Sequence, residues 1–322
     1  MNEFLTVINA VLPVFTVAGA GFGLRRLEWL TEEADQSLLK LLINLLVPCL
    51  IFDSVLGNKA LTNIGTVILA PAVGFGTVAL GVGICWLLRG TAGLTDKSRD
   101  GTFAFVTGVY NYGYVPLPLV YLLFKDSPDM VGLLLVHNVG VEIAMWTLGL
   151  MLLSGVSIKT GWRKLINAPI SMILISLVLN LLGAENWMPK FIIQTAHMLG
   201  QCAIPIGILL VGATIADQLP EFHAEKGWRV MAASSFLRLA LLPVLFVLLA
   251  GFLPCSLELK RIIVIQGAMP AAVFPIIMAR HYGGHAPTAL RIVIGTTVLG
   301  LLTIPLWIKL GLWFIEYVAS KA

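Results

Sequence analysis

Apolar stretches of about 20 residues, the length that carries an α-helix across a bilayer, alternate along this chain with short polar breaks. The pattern predicts an all-α integral membrane protein with ten transmembrane helices, at roughly 4–24, 37–56, 65–88, 101–124, 130–153, 167–183, 191–214, 228–250, 259–280 and 288–315. Helix punctuation agrees with several boundaries. Thr31-Glu32-Glu33 precedes the second helix and Ser127-Pro128-Asp129 the fifth, both N-terminal signals, while Gly283-Gly284 follows the ninth. Two helices are interrupted in the same way. The fourth contains GVYNYGYVP from Gly108 to Pro116, the ninth GAMPAAVFP from Gly267 to Pro275, with Gly and Pro eight residues apart in each. Those prolines lie 159 residues apart (275 − 116) in a chain of 322. Pro48 and Pro205, in the second and seventh helices, echo the interval at 157 (205 − 48), whereas Pro71 and Pro243 do not keep it.

Five helices per half is an odd number, so the second half is inverted relative to the first, which divides the chain into repeats 1–155 and 156–322. A backbone group freed from its helical partner cannot face lipid, so a break at membrane depth survives only beside protein or a water-filled cavity. Paired breaks at equivalent positions of two repeats therefore point to a binding site, and to a secondary transporter with broken helices 4 and 9 at its centre.

Composition supports the membrane assignment: 58% of residues are hydrophobic, 12% are charged and the mean hydropathy is +0.93. Glu3 precedes the first apolar run and Arg25-Arg26 follow it, the reverse of a signal peptide, so this run is expected to stay as a membrane helix. Loops after odd-numbered helices hold 12 Lys and Arg, against 7 on the other side, with Lys40 and Arg238 inside helices. The asymmetry places both termini on the outer side of the plasma or inner membrane. It also accounts for the net charge of +4, so no nucleic-acid partner is expected. Cys49, Cys85, Cys202 and Cys255 form no CxxC or Cys/His cluster, and neither disulfide, metal nor cofactor is expected. Gly19, Gly21 and Gly23, and Gly74, Gly76, Gly81 and Gly83, lack the strand-then-helix setting of a nucleotide loop and suggest close helix packing.

Charges inside an apolar helix need a reason, since each opposes insertion by about 3 kcal/mol. Glu142 and Arg238 lie near mid-helix, Glu142 sharing a face with Asn138 and Arg238 with Ser234. Two roles are open: Glu142 couples protons or touches substrate while Arg238 attracts an anion, or the two form a structural ion pair. Lys40, Asn44 and Pro48 follow an i, i+4, i+8 line, as do His197, Gln201 and Pro205, which suggests two inward faces and makes Gln201 a further candidate. Lys40 and Asp53, near the helix ends, suit the interface. His197 is open to a functional or a purely structural role. His137 and Glu142 are about 140° apart on a helix, too far to converge, and no nucleophile stands beside a base, so no enzyme is expected.

At the breaks, Asn111 and Pro270 hold matching positions, three residues after Gly108 and Gly267. Asn can satisfy freed backbone groups or bind a ligand, while Pro opens the helix. The candidate site comprises Asn111, Gly113, Pro116, Pro118, Met269, Pro270, Phe274 and Pro275, and the N-termini of the half-helices favour an anionic group there.

The order and spacing of LPVFTVAGAGFGLRR, NLLVPCLIF, NYGYVPLPL, WTLG, NAPISMILISLVLNLLG, IPIGILLVGATIA, RLALLPVL and GAMPAAVFPIIMARHYGG resemble the auxin efflux carrier family, which includes plant auxin exporters and bacterial malate and malonate permeases. The resemblance covers nearly the whole chain. It implies two inverted five-helix repeats, a scaffold and a transport unit, helices 4 and 9 crossing at the substrate, movement of organic anions, and often a homodimer. Asn111, Pro118 and Pro270 fall where the family has its crossing asparagine and prolines. Pro116 stands where the family usually has Gly, and Phe274-Pro275 where a polar and a small residue are common; both changes stiffen the crossing and favour a monocarboxylate or apolar acid over a dicarboxylate. The expectation is an elevator-like carrier of small organic anions. The alternatives are a passive channel, which needs a continuous pore, and a membrane sensor without transport, against which the short loops argue.

Overall fold

The computed structural model describes residues 2–94, 96–113, 115–127, 129–154, 167–223 and 227–321. Among these the structure is helical apart from one isolated β-bridge. The first half contains α1 (Asn2–Arg26), α2 (Glu32–Leu41), α3 (Val47–Val55), α4 (Ile64–Leu87), α5 (Lys97–Gly108), α6 (Pro116–Leu123), α7 (Asp129–Ala144) and α8 (Leu150–Ser154). The second contains α9 (Ala168–Leu181), α10 (Lys190–Gln201), α11 (Ala203–His223), α12 (Trp228–Phe236), α13 (Leu242–Phe252), α14 (Leu257–Ala268), α15 (Phe274–Tyr282) and α16 (Ala286–Ala319). Six described stretches are long and apolar enough to cross a membrane: Glu32–Val55, Ile64–Leu87, Asp129–Leu153, Lys190–Asp217, Trp228–Phe252 and Ala286–Ala319.

Local chemistry sets the helix ends. Thr31 Oγ1 accepts the Ala34 N–H, Asn167 Oδ1 the Ile170 N–H and Ser256 Oγ the Leu259 N–H, each satisfying a donor that the first turn leaves open. Gly283, at φ +87°, ends α15 in the left-handed region where a Cβ is disfavoured. Pro128, and Lys159, Arg163, Lys164 and Lys226 of the charge count, lie outside the described residues.

Three helices carry a π-turn, at Leu42–Leu46, Met145–Gly149 and Leu237–Leu241. A π-turn widens the helix locally and rotates everything beyond it. That overturns the two inward faces expected from i, i+4 spacing. Lys40, Asn44 and His197 are exposed, and His197 Nδ1 lies 2.9 Å from Asp53 Oδ2. The line through Lys40, Asn44 and Pro48 is broken by the π-turn; that through His197, Gln201 and Pro205 is broken where α10 gives way to α11 at Cys202.

The glycine runs divide. Gly21, Gly74 and Gly81 face the backbones of Leu209, His137 and Gly108, while Gly19, Gly23, Gly76 and Gly83 have nothing within 4 Å of a Cβ position. Only one side of each helix meets a neighbour, so only the glycines on that side serve packing. Many of the other contacts fall within two sets of helices, which also meet each other where α1 touches α16 and α6 and α3 touches α7. α1 packs along α11, and α3 lies against α9 and α10; α4 packs on α5 and α7, and α16 on α12, α13 and α14.

Candidate functional site

The broken segments meet. α5 ends at Gly108 and α14 at Ala268, and both chains then become extended, Val109 at φ −88°, ψ 118° and Met269 at φ −73°, ψ 147°. The extended stretches pair antiparallel at Tyr110 and Ala271. Asn111 N–H donates to Pro270 C=O at 2.8 Å and Ala272 N–H to Val109 C=O at 3.0 Å. Ala271 N–H goes to Thr296 Oγ1 at 3.1 Å. Backbone groups lost to helix are thus recovered across the crossing, as a region without water requires.

Arg238 completes the accounting. It is fully buried, and its guanidinium donates to Gly267 C=O at 3.0 Å and to Gly108 C=O at 3.4 Å. These two glycines, each at the start of a break, supply carbonyls from the last turns of α14 and α5, where each helix dipole places partial negative charge. One cation thereby caps two helix ends. Its guanidinium also lies over the rings of Tyr110, at 5.6 Å, and Phe246, at 5.4 Å. Tyr110 Oη is in turn 2.8 Å from Thr77 Oγ1 on α4.

A second polar node lies beside the crossing. Asn138 Nδ2 donates to Tyr112 C=O at 2.7 Å, and Gln266 Nε2 donates to Asn138 Oδ1 at 2.9 Å. This fixes the Asn138 amide and joins α7 to both broken segments.

Between the two helix groups is a cavity of about 360 Å³. Leu42, Ile43, Val47 and Leu50 line one wall, with Asn167, Ile170, Ile173, Ala203 and Ile204. The crossing forms the other, through Asn111, Gly113, Pro118, Asn138, Glu142, Trp146 and Phe274. Asn111 is 5% exposed, and among the described residues its side-chain amide has no hydrogen-bond partner. Glu142 is the one charged side chain among the described lining residues; Asn167 Nδ2 donates to its Oε2 at 3.3 Å. Trp146 stands edge-on to Phe274, their centroids 5.8 Å apart.

Of the residues singled out in the sequence, Asn111, Gly113, Pro118, Phe274, Asn138 and Glu142 converge on this cavity. Pro116, Met269, Pro270 and Pro275 do not line it; they build the crossing behind it. Gln201 lines a separate apolar cavity of about 240 Å³ with Pro13, Pro118 and Pro205. No ion pair among the described residues joins Glu142 to Arg238; Glu142 faces the cavity and Arg238 the helix ends. The half-helix N-termini also differ from expectation. In α6, Pro116 and Pro118 carry no N–H and Leu117 N–H is taken by Gly113 C=O. At the start of α15, no backbone carbonyl among the described residues takes the Val273 or Phe274 N–H, and both residues line the cavity.

Gln266, Thr296, Asn167 and Trp146 were missed in the sequence. Gln266 had a local signal, a polar residue directly before the glycine that starts a break. The others are brought in by tertiary packing and had none.

A family profile described as membrane transport protein matches residues 6–160 and 153–308. The chain belongs to this family of auxin efflux carriers, multi-pass membrane transport proteins and not enzymes. It is 25% identical to an uncharacterized transporter of Methanothermobacter thermautotrophicus, over 94% of this chain and 98% of that protein. It is 22% identical to the uncharacterized transporter YfdV of Escherichia coli K12, over 94% of this chain and 96% of the relative. A probable auxin efflux carrier component 3b of Oryza sativa subsp. japonica is 28% identical over 48% of this chain and 27% of its own length.

Proposed function

We propose that this protein is a secondary active carrier of small organic carboxylates that works by alternating access, with the cavity at the crossing as its substrate site. The observation that carries this reading is Asn111: its side-chain amide, without a hydrogen-bond partner among the described residues, opens at the crossing onto the cavity. With the free N–H groups at the start of α15 it offers donors and partial positive charge to a carboxylate. Apolar walls and the loss of donors at α6 favour a monocarboxylate or apolar acid over a dicarboxylate.

In this reading ten helical segments span the plasma or inner membrane as two inverted five-helix repeats, 1–155 and 156–322, with both termini outside. α4 to α8 and α12 to α16 move as one unit against a scaffold of α1 to α3 and α9 to α11, and the carrier assembles as a homodimer, as the family resemblance implies. Its cavity between the two groups is what such an elevator needs, since relative motion then opens one site to each side in turn. A channel would instead need a continuous pore.

Charge movement on a solid-supported membrane, with the reconstituted protein and a panel of mono- and dicarboxylates, tests the proposal. A saturable current is expected for monocarboxylates, and Asn111→Ala, which removes both donor and acceptor, is expected to lower apparent affinity by about 1–3 kcal/mol, or roughly five- to 150-fold. Wild-type affinity in a folded Asn111→Ala protein places the site elsewhere.

A further inference from the structure

The charge pattern of this cavity suits a carboxylate best when the substrate carries a cation of its own. Donors for an anion are present, at Asn111 and the start of α15, but so is the carboxyl group of Glu142. No Lys, Arg or His is among the described lining residues to neutralise it, and Arg238 is turned to the crossing carbonyls behind the wall. A carboxylate substrate would place two like charges in one apolar space, which is unfavourable unless a cation or proton comes with it. A substrate that brings its own cation meets both poles at once.

We propose that the cavity takes an α-amino acid with an apolar side chain. Its carboxylate would bind Asn111 and the amides that start α15, its ammonium the Glu142 carboxylate, and its side chain the apolar wall of Ile43, Val47 and Leu50. The Trp146 and Phe274 rings add faces toward which an ammonium is drawn. Asn167, by donating to Glu142 Oε2, leaves the other carboxylate oxygen for the ligand. The zwitterion is electrically neutral as a whole, so its transfer into the cavity adds no net charge. This deepens the carboxylate-carrier reading and rests on it.

The test is equilibrium binding to the purified full chain in two series. One is leucine, isocaproate (leucine without its amino group) and isoamylamine (without its carboxylate); the other is phenylalanine, hydrocinnamate and phenethylamine. In at least one series the amino acid is expected to bind about tenfold or more tighter than either truncated compound. Glu142→Gln is expected to erase the margin over the acid, Glu142→Asp to keep the preference at lower affinity, and Asn111→Ala to weaken amino acid and acid alike. An acid that binds as tightly as its amino acid overturns the proposal and leaves the carboxylate carrier standing. An amine that binds tightest overturns both. Silence across both series, from protein that still unfolds cooperatively, also overturns the amino-acid assignment, while the current measurement with simple carboxylates judges the broader reading separately.

Discussion

Arg238→Leu is expected to lower the stability of the purified protein by about 3 kcal/mol or more and to abolish transport. Leucine fills much of the space but removes donors from two carbonyls, Gly108 and Gly267, that end helices pointing at one another. With Arg238 fully buried, water does not replace it, so two partial negative charges are left facing across the crossing. Arg238→Lys keeps the charge but ends in a point ammonium rather than a planar fork, and should lie between wild type and leucine because it cannot span both carbonyls equally well. Thermal unfolding in detergent reads the order. A leucine variant that melts with the wild type removes Arg238 from the crossing's support.

The second large effect is expected where α4 and α7 pack closely. At Gly140 on α7, an added Cβ would run into the Pro71 carbonyl and lie 2.7 Å from Phe75 N on α4. Both obstacles are backbone, so no side chain can turn aside. Gly140→Val should therefore force α4 and α7 apart, at a cost at or above the about 1–3 kcal/mol usual for overpacking. Since α7 carries Asn138 and Glu142, the separation should also disturb the cavity and reduce substrate affinity. Gly76→Ala on α4 is the control: nothing lies within 4 Å of its Cβ position, and its effect is expected to stay within about 1 kcal/mol. Equal melting temperatures for the two variants would contradict this packing.

What the sequence made legible follows from which forces are local. Helix intervals were readable because apolar length and capping residues act over a few neighbours, and the two breaks because Gly and Pro mark them directly. Asn138 and Glu142 were reached by one inference, that polar groups inside an apolar helix turn toward the protein interior, and Asn111 by its place in a break matched by the one at Pro270. The same inference failed for Lys40, Asn44 and His197, because it assumed an unbroken 3.6-residue turn where the chain inserts a π-turn or changes helix. For Arg238 the sequence left two roles open, attraction of an anion or a structural pair with Glu142, and among the described residues that pair is not formed. Opposite charges suggest a pair in sequence, whereas the structure supplies a different counter-charge, helix dipoles from segments 130 and 29 residues away. Dipoles leave no residue-type signature, and only the fold brings them together.

The most direct measurement of the central claim is counterflow into proteoliposomes loaded with an unlabelled substrate identified from the current panel. With wild type, outside label is expected to accumulate transiently above equilibrium and to saturate with concentration, because one site is exposed to each side in turn. Folded Asn111→Ala protein is expected to show little of this at the same concentration. Flux that grows in proportion to concentration without the transient overshoot, or an overshoot undiminished in Asn111→Ala, would contradict an alternating-access carrier with its site at the crossing.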